Sequence, residues 1–318
     1  SQVVVPNVPT MLNPPVVTGG TGPLTYLWSP ATSLSTTNVA SPIFNGPTSQ
    51  SYTVTVTDAY GFSETVVNAV TVTIVSADYY FTGGDASNPA NWRDNYGTGL
   101  SAPNFLTNGT RFYVMGNTNG ISSTVATMFN NMTLGTGVEL IINSPATFAV
   151  GDGTTLVNAG TIRVRGNAST GATFQIIGNP MLNGTPLVYD GARSSVRYSG
   201  TNVLRTASPF EFPSTMLGTV EIEENVTVLL DGDKTLQSRF VLGGLADIRS
   251  RSIRLLGSLD LRGGFIADGM SDVEIGQNGG VPEPITGQLS IATNILRNFT
   301  MNRSGRVLSL GSPLLIQG

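Results

Sequence analysis

Few side chains in this sequence could do chemistry, and their types narrow the options before any fold is considered. The 318 residues hold no histidine and no cysteine, which removes imidazole acid–base catalysis, thiolate nucleophiles and the usual zinc ligands. Lys234 is the sole lysine. Asp231 and Asp233, in "LLDGDKT", have the spacing of half a calcium loop, but the third carboxylate and the downstream Glu are missing. A turn that uses Asp and Gly for backbone freedom is expected there and at Asp152. Arg239, Arg249, Arg251, Arg254 and Arg262 form the densest basic stretch. Strand alternation would put Arg249 and Arg251 on one face, where they could grip an acidic polysaccharide. The alternative is pairing with carboxylates on adjacent rungs, for which Glu221, Glu223 and Asp260 are available. A lyase acting on uronic acids would need a strong base beside an acidic or calcium cluster in a groove. With so thin an inventory, no catalytic residue, metal or cofactor is expected, and the lyase stands only as an alternative.

The elements that must carry these residues are strands. Charged residues make up 11% of the chain and Gly reaches 38, and sustained runs at the helical period are missing, so an all-β fold is expected. Residues 1–76 read as an immunoglobulin- or PKD-like β-sandwich, because short alternating runs recur between Gly, Pro, Asn and Ser punctuation. Leu24, Tyr26 and Trp28 share one face, as do Tyr52, Val54 and Val56, and Val70, Val72 and Ile74. Trp28 is expected at the core centre and Tyr52 where a corner tyrosine ties a strand to an earlier loop. Residues 77–98 change texture and are expected to form a boundary or cap. There the aromatics Tyr79, Tyr80, Phe81 and Trp92 would close the following core, while Trp92 and Tyr96 are the candidate ligand contacts, alongside Arg249 and Arg251.

Residues 99–318 read as a β-solenoid. Copies near 129–150, 217–238 and 296–317 align at offsets of 88 and 79, matching Met132, Val220 and Phe299, and then Leu134, Ile222 and Met301. A unit that repeats this way cannot bury its own apolar face and so stacks on its neighbours, with shorter coils of ~20 to 29 residues inside each copy. Ten or so rungs about 4.8 Å apart would make a rod of roughly 50 Å. Because the third copy stops at "SPLLIQG", further repeats of the same polypeptide or another subunit are expected to cover that edge.

Charge excludes one partner class. The first 92 residues contain no Lys or Arg, and the remaining 226 balance 16 basic against 16 acidic residues, so no footprint for nucleic acid exists. No apolar run has the length of a membrane span.

Two segments carry a resemblance. "GPLTYLWSPATSLSTTNVASPIFNGPTSQSYTVTVTDAYG", through Tyr26, Trp28, Ser29, Pro30 and Tyr52 to Asp58, resembles the PKD- or immunoglobulin-like repeats of large secreted surface proteins of Bacteroidota. "FNNMTLGTGVELII" and "LRNFTMNRSGRVLSLGSPLLIQG" are similar to the tandem β-repeats of the same proteins, and "NPANWRDNYGTGLSAP" resembles the segment that introduces them. The resemblance implies export by type IX secretion and a structural, adhesive or gliding-motility role at the cell surface, with glycans as possible ligands. It carries over no catalytic residue, and the sorting domain expected of such cargo is not in this sequence.

Overall fold

The computed structural model describes residues 1–97, 99–115, 124–191, 193–277, 279 and 283–318; the Tyr96 side chain lies outside what is described. Strand accounts for 47% and helix for 2%, so the chain is all-β, and its larger part is a β-solenoid of about 8 turns.

The amino-terminal strands form a four-stranded sheet in the order Gln2–Val4, Ser63–Ile74, Gln50–Thr57, Thr25–Ser29. The pair Thr10–Met11 and Ile43–Phe44 shares its core of Val4, Leu12, Trp28, Phe44, Tyr52, Val54, Val70 and Val72. The alternation of "SYTVTV" is realised here: Tyr52 and Val54 are fully buried while Thr53 and Thr55 face outward. The Tyr52 hydroxyl donates to the Thr32 carbonyl at 2.6 Å, and the Trp28 indole N–H donates to the Val39 carbonyl at 2.9 Å.

The solenoid has three walls. The first is one sheet of nine parallel strands running from Val125–Met128 to Ser309–Leu310. The second comprises a three-stranded sheet (Met132–Leu134, Thr155–Asn158, Met181–Gly184) and then a four-stranded one from Val203–Thr206 to Gly264–Ile266. The third begins with the six-stranded sheet that contains Asp78–Phe81, Arg111–Val114, Glu139–Asn143, Thr161–Arg165 and Val188–Asp190. It resumes in a five-stranded sheet from Thr215–Met216 to Asn298–Met301. Thr227 stands beside Leu245 and Arg111 beside Glu139, so from Arg111 onward coils run from 18 to 28 residues.

Many strands follow the alternation that the sequence announced, because the inward half of a pleat can be buried only against the other two walls. Ile162 and Val164 point in while Arg163 and Arg165 point out. The inward residues join one continuous apolar column from Tyr79 to Leu296, in which Leu134 and Ile222 are buried and Met301 packs half-buried on the last rungs. In-register aromatics stack along it, as Phe148 and Phe174 do with centroids 6.0 Å apart.

Two sequence expectations change. The sheet starts at Asp78, ahead of residue 99, since Asp78–Tyr80 pair in parallel with Arg111–Tyr113. The segment 77–98 is therefore the first rung as well as the cap. The long repeat is not the structural one either. Met132 lies on the second wall, Val220 on the first and Phe299 on the third. Each aligned copy stands eleven described strands past the last, one short of the twelve in four three-strand coils, so the alignment slips by one wall per copy. Every wall shows the same in-and-out pattern, and any wall therefore aligns with any other; the common interior survives, the repeat unit being the single coil.

Candidate functional site

Trp92 closes the start of the column. Strand Trp92–Arg93 runs antiparallel to Asp78–Phe81 at the sheet edge. Its indole, 0% exposed, packs against Phe81, Phe105 and Phe112 with centroids 5.1, 6.0 and 5.4 Å away. The indole N–H donates to the Ala86 carbonyl at 2.9 Å. A ring buried on all sides offers no face to a ligand, which corrects its candidacy as a contact and leaves the cap.

Arg249 and Arg251 do not form a ladder. They lie in the turn after Leu245–Asp247, where Arg251 N–H donates back to the Ile248 carbonyl and Ser250 has a φ of +57°. A turn breaks the strand alternation that would have put both on one face. Arg249 folds back on Asp247 at 2.5 Å, and Arg251 donates to the Ser250 carbonyl at 3.0 Å.

Many of the other outward arginines pair along the stack. On the third wall Arg111 meets Asp78 at 2.6 Å, Arg163 meets Glu139 at 3.1 Å and Arg254 meets Glu274 at 2.9 Å. On the first, Arg197 meets Glu221 at 2.8 Å, while Arg239 and Arg262 share Asp260 at 3.5 and 3.3 Å. Arg297 with Asn298 and Ser252 surrounds Asp272, and the guanidinium beside it holds that carboxyl down to about 2. The second wall differs: its outward positions are Thr133, Thr155, Val157, Met181, Asn183, Leu204, Thr206, Thr227, Leu229 and Leu245, and the charge of Asp247 there is covered by Arg249.

A charged node sits inside the column. Arg205 stands in register with Val228, Ala246 and Phe265, all buried inward residues. Its Nη2 donates to Glu211 at 2.9 Å and its Nη1 to the Pro180 carbonyl at 2.9 Å. Glu211, 0% exposed, also accepts from the Ser208 N–H at 3.2 Å and from the Ser208 hydroxyl. Lys234 likewise occupies an inward register, beside Ile253. It donates to the Phe212 carbonyl at 2.6 Å, lies 2.5 Å from Asp231 and sits over the Phe212 ring, 4.9 Å from its centroid. Both cations thus engage loop 207–214, buried at Phe210, Glu211 and Phe212, which lies where the second and third walls change sheets. Burial, with the Glu211 carboxylate nearby, pushes the Tyr189 and Tyr198 phenols well above their ordinary range. Sequence reasoning missed this node. The signal was present in "VLRT", where Val203 in and Leu204 out force Arg205 in.

Asp233 accepts from the Ser252 N–H at 2.7 Å and Asp152 from the Asn179 N–H at 2.8 Å, both as bracing between rungs. Among the described residues no three acidic side chains converge as a metal site would require, and no helix is long and apolar enough to cross a membrane. No family model, curated protein or solved structure matches the chain.

Proposed function

We propose that this chain is a non-catalytic, structural or adhesive module of a large bacterial surface protein, with an immunoglobulin- or PKD-like unit leading into the solenoid. One observation carries the reading: the inward residues make a single apolar column while most outward arginines are engaged in rung-to-rung pairs, an arrangement that serves cohesion along an axis. The tie from Tyr52 to Thr32, beside the buried Trp28, supports the immunoglobulin-like part. The resemblance of the "YLWSP" and "YTVTVTD" strands to repeats of exported Bacteroidota proteins supports the extracellular part. Immunogold labelling of intact source cells with antibodies to this chain tests it, with label expected on the outer surface; label confined to the cytoplasm overturns it. Turnover of pectin, alginate or chondroitin-type polymers to unsaturated products, lost in Arg249→Ala or Arg251→Ala, would replace the scaffold with the lyase.

A further inference from the structure

The second wall, where the charge of Asp247 is covered by Arg249, carries a groove of ≈ 900 Å³ at its corner with the first wall. It runs along the solenoid axis, crossing successive rungs at Leu204, Thr227, Leu245, Gly264 and Ser290. Four steps of ~4.8 Å give it a length of roughly 19 Å. The cause of the hollow is backbone crowding. A β-carbon on Gly244 would come 2.2 Å from the Val226 carbonyl oxygen, and one on Gly263 1.8 Å from that of Gly244. Side chains are therefore excluded from this corner on consecutive rungs, and the floor is left bare beside the row of Leu204, Thr227 and Leu245.

The chemistry of the lining selects the occupant. Its one charged side chain, Arg262, is already engaged by Asp260 at 3.3 Å, so the groove offers nothing to an anionic polymer. Its backbone groups are taken up between rungs: Gly264 N–H donates to Gly244, Phe265 N–H to Ser290 and Val203 N–H to Asn225. An extended peptide consequently finds no edge to pair with. What remains is hydroxyl and amide chemistry beside small apolar faces. Asn202 and Asn225 are exposed at the rim, each held in the left-handed region (φ +54° and +63°), and neither side-chain amide has a hydrogen-bond partner among the described residues. Leu204 is 64% exposed. A second copy docking through the same wall would bring an equally hollow surface, and two concavities do not fill one another.

We infer that this groove binds a neutral polysaccharide laid parallel to the solenoid axis, with Asn202 and Asn225 meeting its hydroxyls and Leu204 and Leu245 meeting the C–H faces of its rings. The inference rests on the adhesive, extracellular role proposed above and names its ligand class.

Affinity electrophoresis of the 318-residue chain through gels containing dextran, mixed-linkage β-glucan or galactomannan tests it, with alginate and polygalacturonate as anionic counterparts. Retardation by at least one neutral polymer is expected, unchanged between about 0.05 and about 0.5 M salt because no ionic contact is involved. Thr227→Arg and Leu204→Asp, both outward substitutions, should weaken it by about tenfold or more. Thr133→Arg, on the same wall outside the groove, should leave it intact, and circular dichroism checks that each variant is folded. The inference is overturned by migration unaffected by all three neutral polymers, by retardation in the anionic gels alone that fades with salt, or by retardation that survives both groove variants. Surface immunogold label combined with any of these outcomes would leave the scaffold standing and remove the ligand.

Discussion

Replacing Arg205 by Met should be among the most damaging single changes on the solenoid walls. The guanidinium, 8% exposed, donates to Glu211 through Nε at 3.2 Å and Nη2 at 2.9 Å, and to the Pro180 carbonyl through Nη1 at 2.9 Å. Its loss strands a carboxylate that is 0% exposed and retains only the Ser208 N–H and hydroxyl as donors. A buried pair broken from one side costs about 3–5 kcal/mol, because the surviving charge remains desolvated. Replacing both partners removes that penalty, so Arg205→Met with Glu211→Leu should lie within about 2 kcal/mol of the parent. Urea titration and calorimetry measure the totals, and hydrogen exchange places the damage, expected first at Val188–Asp190, whose Tyr189 hydroxyl donates to the Glu211 carbonyl, and at Thr215–Met216, which follows the loop. A single variant that loses less than about 1 kcal/mol, or a double variant no better than the single, would refute the assignment of the node as a desolvated ion pair.

Three further outcomes are expected. Trp92→Ala empties the aromatic cap and should cost about 3–5 kcal/mol, read as earlier thermal unfolding and as proteolytic nicking near the first coil. Arg303, 4% exposed, donates to the carbonyls of Leu255, Gly257, Gly276 and Glu283; Arg303→Met should lower protection of Ser252–Leu255 and Asp272–Ile275 by about 3 kcal/mol in hydrogen exchange. Asp272 is held at about 2 in the folded chain, below its unfolded value near ~3.9. Its contribution is thus complete above the unfolded value and drains away as pH falls toward about 2. Asp272→Asn should flatten that part of the stability–pH curve, an effect kept small by solvent screening of the partly exposed pair; an unchanged curve counts against it.

Alternation was the readable part of this sequence. Ile162, Arg163, Val164 and Arg165 announced their faces, and so did the Tyr52 strand with its tie to Thr32. Coil length was close as well, 18 to 28 residues from Arg111 onward against the expected ~20 to 29. Which wall a strand joins was not readable, since Met132, Val220 and Phe299 satisfy the same pattern on three different walls. The candidate contacts failed for local reasons. Arg249 and Arg251 sit at a two-residue spacing that means one face only in a strand, and the left-handed Ser250 between them makes a turn. Trp92 lies among Gly, Asn and Asp, a texture of surface loops, yet its neighbours in space are Phe81, Phe105 and Phe112, brought in from other parts of the coil.

The change of sheets near loop 207–214 leaves the three sides of the rod unequal. On the first wall the hydrogen-bonded ladder passes that level without a gap, from Ser194–Ser199 to Thr219–Ile222, while the other two are spliced there through loop contacts and two buried cations. A beam with one continuous flange and two spliced ones bends most easily at the splice, with the intact flange as its hinge line. Lateral load on the solenoid would therefore concentrate at this level, opening the second and third walls first and keeping the spine of the molecule whole.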